Sequence, residues 1–516
     1  MKLSGEKTSY ASGIFFKTLL MLLLSFFLLQ NGFTNGFIFR SGTPRGWFFP
    51  IFGIYIVVIA CAILIYWGVL KLERDVYAYI AVFILALILR LIIFSFFLQE
   101  PVSDFYNYYK FGFNIKNRQT QEIAMIIADY QMPKMGGLAL FNGILCYIFS
   151  DTMAGQQLAH VVLSSLICPA MFLAFKRIGK KPALLATLLY AIYPSSIVSA
   201  QYTTNNHGAA FFFLISIYFF IEALNCPHIV KTLVLTAVSG VFLVISDFIH
   251  ASAIILLIAM LIVTVFSILR GKGVRIKNTC AAALLVAIFF SLSSFGLWFL
   301  NSIYVIDDTR SITPLFKIVM GFNEHHRGFY SGDYDYIKTV PFEEQNRVCL
   351  NMLKDRLIKL SAADFGALIS EKTGVAWFDH DLFFYFFDLG ETEILNDPEA
   401  VDKLSEDELI ETHRRVDFTN GMRLLDALFL HTIYLLSIAG IIMPLLKKEN
   451  EIILLSALVP LGWMLFIMIS EVQSRYRFSA MPFYMLLAAA GVFSIKNALV
   501  SRKADSRPSS DSNIML

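Results

Sequence analysis

Apolar runs of about 20 residues recur along the 516-residue chain. About 20 apolar residues cross the hydrocarbon core of a bilayer as a helix, and only helices or closed barrels satisfy their backbone polar groups in lipid. The runs lie at residues 14–33, 47–70, 77–98, 156–175, 182–200, 207–224, 229–246, 251–269, 279–301, 425–446, 451–471 and 476–497. They predict an all-α polytopic membrane protein with about 12 transmembrane helices; weak breaks near 197–206 and 225–230 leave 11 or 13 open.

Composition supports this fold class. Hydrophobic residues make up 57% of the chain and charged residues 16%, whereas soluble domains carry about 25% charged residues. The net charge of +3 gives no indication of nucleic-acid binding. The six cysteines show no CxxC spacing, so the sequence predicts neither a disulfide framework nor a metal cluster, and pairing of Cys146 with Cys349 is left open.

The basic segments predict the orientation. The N-terminus has a basic start and an apolar core but no small-x-small cleavage site, so we interpret it as a retained first span. Lys and Arg favour the cytoplasmic side. They cluster at 176–181 and 270–277, and also at Lys447, Lys448, Lys2, Lys7, Arg502 and Lys503. Both termini are therefore expected in the cytoplasm and the two long loops outside, in the cell membrane.

Four regions follow from this topology. Residues 1–301 form an N-terminal transmembrane region that contains a first long outer loop at 99–155. Residues 302–424 carry the spacing of amphipathic helices and predict a mostly helical extracytoplasmic domain. Residues 425–497 hold the C-terminal transmembrane helices, and the polar tail 498–516 is expected to be disordered.

Polar residues gather at the predicted outer ends of the spans. They are Asp104, Asp129, Lys134, Asn205, Asn206, His207, Asp247, His250, Glu471, Arg475 and Arg477. Ionisable groups near the hydrocarbon region are costly unless they face a cavity or a partner, so each is a functional candidate. The alternative for any one of them is interfacial anchoring among the headgroups.

Several segments resemble the GT-C superfamily of membrane glycosyltransferases, and its family-39-like members in particular. "EPVSDFYNYYKFG" (100–112) is similar to the acid and Tyr-rich start of their first outer loop. "KIVMGFNEHHRGFYSGDYD" (317–335) and "ISEKTGVAWFDHD" (369–381) resemble parts of their large outer loop. "SEVQSRYRFSAMPFYMLLAAAG" (470–491) resembles the turn before their last span, and the similarity extends over about residues 77–496.

The resemblance implies an activity. Relatives such as protein O-mannosyltransferases and the lipid A aminoarabinose transferase take a sugar from a polyprenyl-phosphate donor. This chain is then expected to transfer a sugar, with inversion, to an acceptor at the outer face: a cell-envelope polymer, a lipid or a protein. The resemblance gives no sign of a resident cofactor, although a divalent metal ion stays open.

The resemblance also assigns roles. Asp104 matches the loop acid and is expected to act as general base; capping of the following helix is its alternative role. Lys134 and Arg475 are expected to bind the donor phosphate. Because Pro133 stands where some relatives carry an acid, and Asp129 has the wrong spacing, a second carboxylate is in doubt. Further possible sugar or acceptor contacts are Asn205, Asn206, His207, His325, His326 and Lys372.

Two other functional classes fit a chain of this kind. A 12-span transporter would show internal repeats and broken helices at the midplane, and the sequence shows no repeat between its halves. A polysaccharide polymerase would use a lipid-diphosphate donor and would carry more arginines in its outer loops. The ordered acid, lysine and arginine motifs favour the glycosyltransferase.

Overall fold

The computed structural model describes residues 14–26, 28, 48–72, 74–96, 100–270, 275–304, 311–378, 383–384, 389–442 and 451–505. Over these ranges the chain is helical and contains no strand. The predicted fold class, an all-α polytopic membrane protein, is therefore confirmed.

The helices in the first half are α1 (Ile14–Phe26), α2 (Phe48–Leu70), α3 (Asp75–Phe96), α4 (Asp104–Lys116), α5 (Thr120–Tyr130), α6 (Met135–Ile148), α7 (Met153–Phe175), α8 (Lys180–Ala191), α9 (Pro194–Val198), α10 (Asn205–Asn225), α11 (Ile229–Ile249) and α12 (Ala253–Arg270). The helices that follow are α13 (Arg275–Tyr304), α14 (Leu315–Gly321), α15 (Asp333–Thr339), α16 (Phe342–Lys359), α17 (Ala362–Thr373), α18 (Leu389–Asn396), α19 (Pro398–Val401), α20 (Glu406–Ile442), α21 (Glu451–Ile469) and α22 (Met481–Asp505). A 3-10 turn, Ser474–Ala480, precedes α22.

The predicted spans fall on these helices. Within the described ranges nine helices are long and apolar enough to cross a membrane, and α8 with α9 makes a tenth if the pair, bent by 61°, is one span. The described part of α1 and α12 are apolar but shorter. Together these helices account for all twelve predicted runs.

Three boundaries differ from the sequence-based prediction. The apolar helix α6 lies inside the first loop, where no helix was predicted; its 14 residues are too few to cross a bilayer. Helix α20 runs without a break through the boundary predicted at residue 424. The last helix continues to Asp505, so the start of the predicted disordered tail is helical, whereas 506–516 lie outside the described residues. Lys2, Lys7, Lys447 and Lys448, used for the orientation, also lie outside them.

A close helix crossing closes the C-terminal part of the bundle. A Cβ atom added at Gly440 of α20 would lie 1.9 Å from the carbonyl oxygen of Leu487 in α22. A Cβ atom at Gly491 would lie 2.1 Å from the carbonyl oxygen of Leu436. Small residues allow two membrane helices to approach this closely, so these glycines fix the packing of α20 on α22.

The bend between α8 and α9 is held by buried polar groups. Asp426 of α20 accepts hydrogen bonds from the Ser195 backbone N–H at 3.0 Å and its hydroxyl at 2.8 Å. Arg90 of α3 donates to Ser196 Oγ at 2.7 Å and to the Ala191 carbonyl at 3.4 Å. Backbone groups freed at a broken helix need such partners inside a membrane protein.

The two long loops pack on each other. The Tyr334 hydroxyl donates to the Tyr130 carbonyl at 2.7 Å, which joins α15 to the end of α5. The Glu471 N–H donates to the Lys317 carbonyl at 2.7 Å, which joins α14 to the turn before α22. These contacts bring residues of both loops to the same end of the bundle.

Candidate functional site

Asp104 is the first residue of α4, and both of its carboxylate oxygens have partners. Arg475 Nη2 donates to Oδ2 at 2.8 Å and the Tyr130 hydroxyl donates to Oδ1 at 2.8 Å. The residue before it, Ser103, has a φ of 53° and makes no side-chain cap. The carboxylate therefore binds an arginine and a tyrosine from other elements, and no side-chain cap is made at the start of α4.

Tyr130 fixes the orientation of this carboxylate. Its hydroxyl accepts from Asn107 Nδ2 at 2.9 Å and so has one direction left in which to donate, toward Asp104. Burial and the Asp104 charge raise the pKa of Tyr130 well above its usual value. The hydroxyl keeps its proton at neutral pH and holds the acid in place as a donor.

Arg475 reaches the acid from the 3-10 turn before α22. Its side chain is 10% exposed and that of Asp104 is 30% exposed, so the pair is open on the side of the acid. The guanidinium also lies 5.8 Å from the centre of the Phe105 ring, a distance at which a cation interacts with an aromatic face. The Phe105 ring packs near the guanidinium, and an N–H group of the guanidinium points at Asp104.

A second cation–carboxylate pair contacts the same turn through Tyr476. Lys317 Nζ is 3.3 Å from Glu471 Oε2 and 3.3 Å from the Tyr476 hydroxyl. Tyr476 donates to the same carboxylate oxygen at 3.2 Å. Burial alone would lower the pKa of Lys317, but Tyr476 and Glu471 raise it above its usual value, so Lys317 remains a cation.

His250, which follows α11, is a neighbour of both pairs. Its Nδ1 is 2.8 Å from the Ser252 hydroxyl. Burial, then the positive charges of Arg475 and Lys317, lower the pKa of His250 to about 3. The imidazole is therefore neutral. The two cations share one region of the protein because Lys317 Nζ lies 3.3 Å from the hydroxyl of Tyr476, the residue next to Arg475.

Lys134 lies at the start of α6, where it forms an ion pair. Its Nζ is 2.7 Å from Asp247 Oδ2, and its side chain is 45% exposed whereas that of Asp247 is 6% exposed. Asp247 Oδ1 accepts from the Ala253 N–H at 3.3 Å. The lysine thus has open surface, with its ammonium anchored by an acid of α11.

The remaining sequence-predicted contacts are not brought to Asp104 by any described hydrogen bond. Asn205, Asn206 and His207 begin α10; the last two are buried, and His207 Nε2 lies 3.2 Å from the Ser199 hydroxyl. His325 and His326 lie exposed on the turn after α14. These histidines have the open surface that a ligand contact needs, whereas Asn206 and His207 do not.

Lys372 is also placed differently from the expectation of a sugar or acceptor contact. The side chain is fully buried, and Nζ donates to the carbonyls of Gly321 at 2.9 Å and Met468 at 3.0 Å. Burial lowers its pKa to about 7. The amine joins the ends of α14 and α21, which is a structural role.

Sequence reasoning missed Lys317 and gave no partner to Glu471. Asp129, weighed as a second carboxylate, is 79% exposed and pairs with Lys338 at 3.2 Å. Glu471 lies instead in the network around Tyr476, whose neighbour in the chain is Arg475. The sequence does show a charged residue, Lys317, at the start of the motif at 317–335. Its importance depends on Glu471, which lies 154 positions away in the chain.

An apolar groove lies elsewhere, between α1 and α12. It has a volume of about 650 Å³ and is lined by Phe15 and Phe16 of α1 and by apolar side chains between Ile258 and Phe266 of α12. None of the charged residues above lines it, so we do not assign it to the site.

Comparison with known proteins gives a family. No curated protein matches the chain. A family described as "conserved hypothetical integral membrane protein" matches residues 150–497, more than half of the chain. The matched range includes Lys317, Glu471 and Arg475 and leaves out Asp104 and Lys134. The chain therefore belongs to this family of integral membrane proteins.

Proposed function

We propose that the protein is a membrane glycosyltransferase that moves a sugar from a polyprenyl-phosphate donor to an acceptor, with inversion, at the outer face of the membrane. The observation that carries the proposal is the Asp104–Arg475–Tyr130 arrangement, an oriented acid next to a guanidinium at one end of the bundle. The resemblance to GT-C enzymes names the same acid and the same arginine.

The chemistry assigns each group a step. Asp104 takes the proton of the acceptor hydroxyl as the new C–O bond forms. Arg475 holds the phosphate and stabilises the negative charge that develops as the sugar departs. Lys134, whose side chain is partly exposed, makes a second contact with the donor phosphate. The acceptor oxygen attacks the anomeric carbon opposite the phosphate, which inverts that carbon.

Sugar transfer from a panel of donors tests this function. Membranes that carry wild-type protein, Asp104→Asn or Asp129→Asn receive radiolabelled polyprenyl-phosphate sugars, and label is followed into non-extractable acceptors. Asp129→Asn is the matched control, because that acid lies in the same loop but is exposed and pairs only with Lys338 in the described contacts.

We expect one donor to be used by wild-type and Asp129→Asn and transfer to fall at least 100-fold in Asp104→Asn, the scale of a general base. Near-normal transfer by folded Asp104→Asn would reject the base. Absence of transfer from every donor by wild-type membranes would reject the glycosyltransferase.

A transporter remains the second candidate because of one observation, the buried bend between α8 and α9. Asp426 and Arg90 bind its ends, and discontinuous helices form the substrate sites of many transporters. Purified protein in liposomes distinguishes the two functions: movement of a labelled lipid-linked sugar between leaflets, without transfer, would support transport. A polymerase would instead consume a radiolabelled lipid-diphosphate sugar added to the same membranes as a separate donor.

A further inference from the structure

Asp104 is not free to act as a base in this structure. One oxygen is bound by Arg475 and the other by Tyr130. A neighbouring positive charge stabilises a carboxylate and weakens it as a proton acceptor. An acceptor hydroxyl must also come within hydrogen-bond reach of an oxygen that now faces the guanidinium. Something must therefore take the place of Asp104 on Arg475 before the proton can be removed.

The second pair repeats this arrangement. Lys317 is held by Glu471 and Tyr476 as Arg475 is held by Asp104. Glu471 is 4% exposed, whereas the Lys317 side chain is 36% exposed, so the cation of this pair is the partner with open surface. Both pairs use residues of the same turn, since Arg475 and Tyr476 are consecutive.

The two cations act on the same neighbours. The positive charges of Arg475 and Lys317 both reach His250, and both reach Tyr476. His250 carries no charge at neutral pH, so it adds no positive charge to this region. Tyr330 is half exposed, and the charges of Glu471 and Asp104 both act on its hydroxyl.

We propose that Arg475 and Lys317 together bind the donor phosphate, and that the phosphate replaces Asp104 and Glu471 as the partner of the two cations. This proposal rests on the proposed function. Phosphate oxygens form charge-assisted hydrogen bonds with guanidinium and ammonium groups. Arrival of the donor then releases Asp104 from Arg475 at the moment when an acceptor needs a base.

The same arrangement explains how the departing phosphate is stabilised. The sugar donor is a phosphodiester with one negative charge, and loss of the sugar leaves a monophosphate with about 1.5 to 2 negative charges. Two cations stabilise the growing charge more strongly than one, so the site favours the transition state over the bound donor. The site therefore binds a polyprenyl monophosphate, the product.

Binding of a polyprenyl monophosphate to the purified full-length protein in nanodiscs tests the inference. The variants are Lys317→Met, Asp104→Asn and the matched control Lys338→Met. Lys338 lies in the same large loop and also pairs with a carboxylate, Asp129, at 3.2 Å. Thermal unfolding first shows that each variant is folded like the wild type. Binding is then measured only for the folded variants.

We expect Lys317→Met to weaken binding about tenfold, which corresponds to about 1.4 kcal/mol, and Lys338→Met to leave it unchanged. Asp104→Asn should tighten binding several-fold, because the carboxylate that competes for Arg475 is gone. A residue that only supports the fold would not tighten binding when changed.

The outcomes separate the two proposals. If wild type binds the monophosphate but Lys317→Met binds equally well, or Asp104→Asn binds more weakly, the phosphate-exchange inference is overturned while the proposed function stands. If the wild-type protein binds no polyprenyl monophosphate, the donor class of the proposed function is rejected and the inference falls with it.

Discussion

Arg475 Nη2 donates to Asp104 Oδ2 at 2.8 Å across 371 positions of sequence. The contact joins the first loop to the turn before the last helix. Neither end of the chain contains the pair by itself, so the site exists only after the whole bundle has closed. A fragment that lacks α21 and α22 would therefore carry Asp104 without its cation, even if its own helices were inserted correctly.

Tyr130→Phe should reduce transfer about tenfold or more while leaving the KM for the donor nearly unchanged. The substitution removes one hydrogen bond to the Asp104 carboxylate, and bonds to charged groups are worth about 1.5–3 kcal/mol. Because Tyr130 orients Asp104 and does not itself hold the donor, the loss should appear in kcat at saturating donor. Tyr109→Phe is the control, since that hydroxyl donates to the Asp151 carbonyl at 3.4 Å. An unchanged kcat in folded Tyr130→Phe would show that Tyr130 does not position the base.

Asp426→Asn should destabilise the protein by about 3–5 kcal/mol, the range measured when one partner of a buried ion pair is removed. Arg477 and Asp426 are fully buried and 3.6 Å apart, and the acid also holds Ser195 at the helix bend. Thermal unfolding in detergent measures the effect. Glu344→Gln serves as the comparison, because its exposed pair with Arg347 should contribute at most about 1 kcal/mol. Equal stability of the two variants would contradict a structural role for Asp426.

The contribution of Lys372 to the free energy of unfolding should rise with pH between about 7 and 10.5. Burial lowers the pKa of this amine from 10.5 to about 7 in the folded protein. In that window the unfolded chain binds more protons than the folded one, so unfolding becomes less favourable as pH rises. A neutral amine also has two N–H donors, matching the two carbonyls of Gly321 and Met468.

The pH dependence is measured as the difference in thermal stability between wild type and Lys372→Met from about pH 6 to about pH 10. This range covers most of the interval between the pKa of the amine in the folded protein and its pKa in the unfolded chain. The difference should change in favour of wild type as pH increases. Lys359→Met is the control, because Lys359 ends α16 with an exposed side chain. A constant difference across the range would mean that Lys372 does not lose its proton in the folded protein.

Gly440→Ala should destabilise the bundle by several kcal/mol, on the scale of overpacked cores or more. Its Cβ atom would lie 1.9 Å from the Leu487 carbonyl oxygen, so α20 and α22 would have to separate. Gly53→Ala in α2 meets nothing within 4 Å and should be neutral or slightly stabilising through helix propensity. Thermal unfolding of both variants is the measurement, and a stable Gly440→Ala protein would show that the crossing can relax.

The fold was largely predictable because the bilayer imposes it. Each apolar run long enough to cross the membrane became helical in the described ranges, including the run broken at Pro194. The short helix α6 was not predicted, because an apolar stretch of 14 residues satisfies no span-length rule. Its position depends on packing against α4, where Asn142 Nδ2 donates to the Tyr108 carbonyl at 2.9 Å.

Single residues of the site could be predicted from the sequence, but the contacts between them could not. Asp104 and Arg475 stand out as charged groups beside apolar runs, but their contact depends on tertiary packing that no local pattern encodes. Lys372 matched a loop motif and was interpreted as a ligand contact, whereas its amine is used inside the protein. Lys317 begins a motif that resembles an outer loop, but its chemistry comes from Glu471 and Tyr476, which lie far away in the sequence.

Helix α20 extends well past any bilayer it crosses. Its 37 residues make a rod of about 55 Å, and the hydrocarbon core is only about 30 Å thick. The projecting part carries Arg415, which binds Glu391 of α18 at 3.0 Å. A membrane helix adjusts to a thinner or thicker bilayer by tilting, and a tilt of about 10° would displace the far end of the rod by roughly 4 Å. A change in bilayer thickness would then move the large loop through the tilt of α20. The acyl-chain length of the lipids therefore affects the position of this end of the molecule.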